Sequence, residues 1–319
     1  MKMLSGNTEV KNAVNASAQD AQYDEQAKRL LGNKIILAHI LVSTVGEFRG
    51  MKPIDVVTYI EGEPYISVVP AEPGMTNAVK EVQGQRIVGF NTENAEINEG
   101  LVRFDIVFYV RMKDGISQII VNVEAQKDSP SEYKILNRAI FYVSRLVSSQ
   151  KERDFVNTNY DDIKRVFSIW ICMNMKQNSM NYFHLTNDRL VGSCEWEGKI
   201  DLLNIVLIGL SKKLPGYAEE YELHRLLGTL LSKQLSTDEK LSIIETEYHI
   251  PIEEKIRKDV SVMCNLSQGI RDEATDNAIT GVIMTMYSNN FTLEQIALAT
   301  SKSVEEVRTI IGKGEPVLV

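Results

Sequence analysis

LVRFDIVFYV, residues 101–110, and IIVNVEAQK, residues 119–127, decide how this chain is read. Both runs are rich in the β-branched and aromatic residues that favour strands, and side chains on a strand alternate between its two faces. Between Gln118 and Gln126 one parity is Ile119, Val121, Val123 and Ala125, an uninterrupted apolar face. The other holds Gln118, Ile120, Asn122, Glu124 and Gln126. In the first run Phe104, Ile106, Phe108 and Val110 share the apolar parity, which leaves Asp105 opposite them with Arg103 and Tyr109. Lys113-Asp114-Gly115 is turn-forming, so strands over 101–112 and 117–126 are expected to pair as a hairpin. Its acidic face is expected to look away from the packed side. That pairing brings Asp105 and Glu124 together. Two carboxylates so close repel unless a cation lies between them. Mg²⁺, with Mn²⁺ as its substitute, takes oxygen ligands from one or two carboxylates and suits that place.

Outward from the hairpin the pattern alternates between helix and strand. Residues 20–48 carry a helical apolar stripe through Leu30, Leu31, Ile35, Ile36, Ile40 and Leu41. A short helix with Pro53 near its start follows, and then short strands and loops over 64–96. DSPSEYKILNRAIFYVSRLVSSQ, 128–150, reads as a helix with Ser129 as its N-cap and Pro130 at the first position. On it Arg138, Tyr142 and Arg145 form one stripe, with Ala139, Ile140, Val143 and Leu146 available to a core. VFSIWICM and LLNIVLIGL are apolar at nearly every position, as strands covered on both faces are. Beyond Ser211 the chain reads as helical. In FTLEQIALATSKSVEEVRTII, Thr292 with Gln295 and Ser303 with Glu306 have the spacing of two capped helix starts. This gives a helical hairpin over 291–311 that is either a plain structural element or a helix-turn-helix.

Several segments, in order, carry a resemblance: YDEQAKRLLGNKIILAHIL (23–41), NEG (98–100), VNVEAQKD (121–128), RAIFYVSRLVSSQ (138–150), DDIKRVFSIWIC (161–172) and MCNLS (263–267). Together they resemble the PD-(D/E)XK nuclease family transposases, bacterial proteins related to the recombination-promoting nucleases. The resemblance runs from about Tyr23 to the region of Ser267. It implies a restriction-endonuclease-like αβββαβ core on a mixed sheet, and a metal-dependent endonuclease that hydrolyses DNA. Asp105 and Glu124 become the metal ligands, and Gln126 stands where the commonest motif of the superfamily has lysine. Glutamine can hydrogen-bond a water but brings no positive charge. Lys127 brings that charge, on the wrong parity unless the strand ends or bulges there. Arg138, Tyr142 and Arg145 become candidates for phosphate contact. A further acidic ligand would come from Glu25, Glu47 or Glu99.

Composition sets the remaining bounds. The 319 residues, 44% hydrophobic and 24% charged, suit a soluble globular protein. The expected organisation is a tail over 1–19, a nuclease-like domain over 20–210 and a helical region over 211–319. No apolar run is long enough to span a membrane, and MKMLSGNTEVKNAVN lacks the apolar core of a signal peptide. A cytoplasmic location is therefore expected. Cys172, Cys194 and Cys264 match no zinc spacing, and the four histidines form no catalytic or metal pattern. No organic cofactor is called for. The net charge of −8 argues against a protein that coats DNA. It favours the rival reading, a nuclease fold kept as a DNA-binding or regulatory module. The intact acidic pair argues the other way, because a pure binder gains nothing from negative charge beside phosphate. Cutting both strands of a duplex usually takes two active sites, so a homodimer is one possible assembly, with the helical C-terminal region contributing either self-association or DNA contacts.

Overall fold

Ile66, Ile106, Val121, Ile169, Val206 and Tyr182 stand level across six neighbouring strands, one residue from each. That rung belongs to the central sheet of a computed structural model. It describes residues 22–66, 80–82, 85–87, 93–96, 100–103, 106–113, 115–124, 134–148, 150, 151, 155 and 157–314. Asp105, Gln126, Lys127, Glu99, the proposed cap Ser129-Pro130 and the expected 1–19 tail lie outside these residues.

The chain divides into two units, residues 24–260 and residues 261–319 together with 1–23. In the larger unit helix α1 (22–31) stops at Gly32-Asn33, where the Asn33 carboxamide accepts from the Ile35 N–H and starts α2 (Lys34–Thr44). One long apolar stripe is thus broken into two helices by a glycine and a cap. A Cβ on Gly32 would meet the Ile66 side chain at 2.6 Å, so the break also lets the strand end approach closely. After α3 (Pro53–Val56), strand β1 (Ile60–Ile66) forms one edge of the sheet. The strands β2 (Lys80–Val82), β3 (Gln85–Ile87), β4 (Glu93–Glu96) and β5 (Gly100–Arg103) pair off as two small two-stranded sheets.

Of the hairpin expected over 101–112 and 117–126, β6 (Ile106–Met112) and β7 (Gly115–Glu124) are antiparallel and in register from Ile106↔Val121 to Met112↔Gly115, whereas residues 101–103 belong to β5 and pair with β4 instead. Gly115 opens β7 at φ +120°, a backbone that side chains resist, which explains a glycine after the two-residue turn. The chain then passes through α4 (Ile135–Ser148) and returns as β8 (Val166–Met175), parallel to β7. Strand β9 (Ser179–His184) is the far edge, antiparallel to β10 (Leu203–Ser211), which itself lies parallel to β8. The order is β1-β6-β7-β8-β10-β9, a mixed sheet in an α/β unit.

Both faces of this sheet are covered. Helix α4 packs on β8 and β10 from one side, while α2 and α5 (Glu222–Leu231) pack on the other. The expectation that one parity of the hairpin looks away from the packed side fails for Val107 and Tyr109, which are buried like their neighbours Ile106, Phe108 and Val110. The cause is the parallel β7–β8 connection: its crossover helix must lie on the sheet, and it covers the second face. Helix α6 (Thr237–Tyr248) opens with a complete capping box between Ser236 and Glu239. It is held to α5 by Arg225, which grips both Glu247 oxygens at 2.6 Å.

The 35-residue helix α7 (Glu254–Ser288) runs from the larger unit into the smaller one. In the smaller unit α8 (Leu293–Thr300) and α9 (Val304–Gly314) pack around Ile283, Ile296, Val307 and Ile311. Thr292 with Gln295 and Ser303 with Glu306 cap the two helices reciprocally, and Ser301 turns the chain between them at φ +53°. The protein is thus an α/β fold on a mixed sheet with a helical C-terminal region. Among the described residues no helix is long and apolar enough to cross a membrane.

Candidate functional site at the carboxyl end of strand β7

Glu124 is the last residue of β7, level with Cys172 of β8. Carboxyl ends of parallel strands, where a crossover helix begins, are where open α/β sheets bind ligands. Cys172 belongs to the parity of β8 that packs under α4 with Val166 and Trp170. The alternate residues Phe167, Ile169 and Ile171 are buried on the opposite face.

On this floor α4 sets a stack of three side chains. The Arg138 guanidinium donates to the Tyr142 hydroxyl at 3.0 Å. It also lies 5.1 Å from the centroid of the Tyr142 ring and 5.6 Å from that of Trp170. Tyr142 leans on Trp170 with ring centroids 5.4 Å apart, and the Trp170 indole N–H donates to Ser168 Oγ at 2.9 Å. A guanidinium over two aromatic faces is held by its charge against their π clouds and keeps little of its rotamer freedom. Arg138 is therefore a positioned cation. Trp170 stands level with Asn122, two residues before Glu124, so this cation is held near the end of β7.

Arg145 does not join that surface. It is only 5% exposed, against the expectation that it shares a solvated basic stripe with Arg138 and Tyr142. Ile140, expected in the core, is 45% exposed, and Phe141 is 48% exposed. The helix is rotated relative to the sequence reading. Its sheet-facing line runs through Ile135, Ala139, Tyr142, Val143 and Leu146, at the i, i+4, i+7, i+8 and i+11 spacing of one helix face. Tyr142 thus takes a partly buried place, and Arg138 and Arg145 flank it. Gln150, fully buried past the end of α4, fixes that rotation. Its carboxamide accepts from the Lys164 N–H at 2.8 Å and donates to the Lys164 carbonyl at 3.0 Å. The sequence offered no periodic signal for this clamp, because Gln150 lies outside any regular element.

Glu47 is not a third ligand beside Glu124. Its carboxylate accepts from the Lys113 N–H at the hairpin turn and pairs with Arg165 at 3.3 Å. Lys113 precedes the first residue of β7 and Glu124 is the last, so the length of a ten-residue strand, roughly 30 Å, separates them. Glu25 is paired with Arg29 one turn along α1, at 2.8 Å. Among the described residues no group of three His, Cys, Asp or Glu side chains is arranged to hold a metal ion; Asp105 is outside that set.

A cavity of about 350 Å³ lies on the opposite face of the sheet, lined by Thr44, Glu47, Arg165, Tyr182, Asp201 and Asn204 among others. Within it Arg165 bridges Glu47 and Asp201 at 3.3 and 3.0 Å, and Arg49 adds a further cation to the lining. Tyr182 donates to the Asn204 carboxamide, and burial, with Asp201 nearby, raises its phenol above the usual range. This arrangement ties the loops before β8 and β10 together at the end of the sheet remote from Glu124.

The smaller unit offers acid where a groove-reading helix would offer base contacts. Helix α9 begins with Glu305 and Glu306, and Glu306 is engaged by Ser303. Compared with known proteins, the chain matches no family model, no curated protein and no solved structure.

Proposed function

We propose that the chain is a Mg²⁺-dependent endodeoxyribonuclease of the PD-(D/E)XK type, acting in transposition or recombination. One observation carries this reading. With α3 and the two small sheets β2–β3 and β4–β5 set aside as insertions, helix α2, the antiparallel strands β1, β6 and β7, helix α4 and the parallel strand β8 come in the αβββαβ order of that core, and Glu124 closes its third strand. The resemblance of the sequence segments reaches the same arrangement from a separate direction.

In this reading the Asp105 and Glu124 carboxylates hold the metal, since two hard oxygen donors fit Mg²⁺ or Mn²⁺. An ion held there would supply a coordinated water of lowered pKa and positive charge against the scissile phosphate. Gln126 orients the attacking water through its carboxamide and leaves the phosphate charge to other groups. Arg138, fixed over Trp170, supplies one positive charge for the DNA backbone, with Tyr142 beside it, and Lys127 supplies a second. Arg145 is withdrawn from phosphate contact because it is buried. The α8–α9 hairpin is assigned to structure, since its second helix opens with acid.

Cleavage of supercoiled plasmid by the purified full chain in Mg²⁺, Mn²⁺ or EDTA tests the proposal. Metal-dependent nicking by the wild type, lost in both Asp105→Ala and Glu124→Ala, is the expected result. Activity unchanged in those variants would remove the site assignment. Metal-independent DNA binding without cleavage under any condition would replace the enzyme with the binding module.

A further inference from the structure

The two edges of the central sheet are built differently. An edge strand shows unpaired N–H and C=O groups to any other strand, and proteins guard such edges with proline, charge or a bulge. β1 has all three: Pro64 within it, Glu61 and Glu63 along it, and a shift of register between Glu61 and Tyr65, with Gly62 at φ +59°. β9 has none. Its sequence SMNYFH holds no proline and no formal charge at pH 7, and its register with β10 is unbroken over six residues. Among the described residues no other strand pairs with it.

The chain that follows this strand carries exposed apolar side chains. After β9 the chain runs through 185–199 without helix or strand, and there Leu190, Val191 and Trp196 are 91%, 94% and 87% exposed. Leu185, Met180 and Tyr182 are exposed as well. Summed over the six, the exposed surface is on the order of 800 Å², about what one partner of a stable complex buries. Charge selects the partner. In a chain of net charge −8, β9 itself carries no charge, and residues 185–199 after it carry Asp188, Glu195 and Glu197 against Arg189 and Lys199, a net of −1. An uncharged strand pairs antiparallel with its own copy without like charges meeting across the ladder.

We infer that β9 is a dimerisation edge: a second copy of this chain pairs its own β9 antiparallel to this one, making a continuous twelve-stranded sheet and covering Leu190, Val191 and Trp196. Pairing through β9 is independent of whether the chain cleaves DNA.

Sedimentation velocity on the full chain over a concentration series tests it, with Asn181→Lys, Trp196→Asp and Leu298→Asp as variants. All three positions are exposed, and Leu298 lies on α8 as a control for the smaller unit. The wild type should sediment at twice the 36.0 kDa of one chain. Asn181→Lys and Trp196→Asp should each weaken self-association about 100-fold, because two lysines are brought near one another about the two-fold axis in one and carboxylates enter an apolar contact in the other. Leu298→Asp should leave it unchanged. Circular dichroism and Tm check that each variant is folded, and should Asn181→Lys not fold, Trp196→Asp in its exposed loop decides. A wild type that stays monomeric at about 100 μM overturns the inference. So does a dimer indifferent to both β9-side variants, or one lost only in Leu298→Asp.

Discussion

The Arg138 guanidinium lies 5.6 Å from the ring centroid of Trp170, joining a residue of the crossover helix to the strand beneath it. Each side chain explains the other. A tryptophan on the α4-facing side of β8 gives the arginine a surface to lie on, and the arginine extends the buried floor of α4 towards the end of β7 where Glu124 stands. Its neighbour along the same helix, Arg145, is buried instead.

The two arginines should therefore answer differently to truncation. Arg138→Ala should weaken DNA binding by about tenfold and lower the salt slope by about one, as expected when a single DNA phosphate is left without its cation. Its Tm should move little. Arg145→Ala should lower stability by roughly 2–4 kcal/mol, because the buried stem of the side chain no longer packs, and leave the salt slope unchanged. Salt-dependent binding isotherms alongside thermal melts separate the two. Equal salt slopes in the wild type and Arg138→Ala would take Arg138 out of the DNA interface.

Glu47 and Asp105 offer a second contrast. Glu47→Gln should keep metal-dependent cleavage, because Glu47 sits at the hairpin end of β7 and is engaged by Arg165 and the Lys113 N–H. It should cost about 1 kcal/mol of stability, the worth of a half-buried ion pair. Asp105→Ala should abolish cleavage. Loss of activity in Glu47→Gln at an unchanged Tm would return Glu47 to the metal site.

Stability should fall on mild acidification because of His39. Burial holds its imidazole down from 6.5 to about 4, with the ring set edge-on against Tyr248 at 5.7 Å. The unfolded chain takes up a proton near pH 6.5 while the folded one does not, so stability rises with pH between about 4 and 6.5. The full contribution is present above pH 6.5 and is lost as pH falls through about 4. It amounts to about 3 kcal/mol at most, from roughly 1.4 kcal/mol per pH unit. Urea melts at pH 4.5 and 7.5, compared between wild type and His39→Phe, measure it, and the difference should shrink in the variant.

Arg225 and Glu247 hold α5 to α6 through two hydrogen bonds, while Arg225 also donates to the Pro215 carbonyl at 2.9 Å. The hydrogen bonds to Arg225 hold the Glu247 carboxyl below its ordinary range, so this stabilisation is complete above pH 4.5 and fades as acid protonates the carboxylate. Arg225→Ala should cost about 2 kcal/mol at neutral pH, since it leaves a partly buried carboxylate without its cation. Arg225→Lys should recover only part of that, because an ammonium cannot grip both oxygens. Full recovery by lysine would show that charge alone, without the planar fork, holds the two helices.

What the sequence determined by itself was local. Alternation fixed the β6–β7 hairpin and its turn, runs of apolar residues fixed β8 and β10, and spacing alone located the caps at Thr292 and Ser303. These features rest on contacts between residues near in the chain, so composition and period carry them. Strand β9 was not legible, because the alternation in SMNYFH runs for only four residues before Phe183 breaks it, and the segment becomes a strand by pairing with β10. The rotation of α4 was not legible either. Its helical period admitted two nearby stripes, and the choice fell to contacts with residues further along the chain, Trp170 beneath the helix and Lys164, which clamps Gln150 just beyond it. Glu47 could be read from sequence as a ligand candidate; only the tertiary structure places it at the hairpin turn, a full strand length from Glu124.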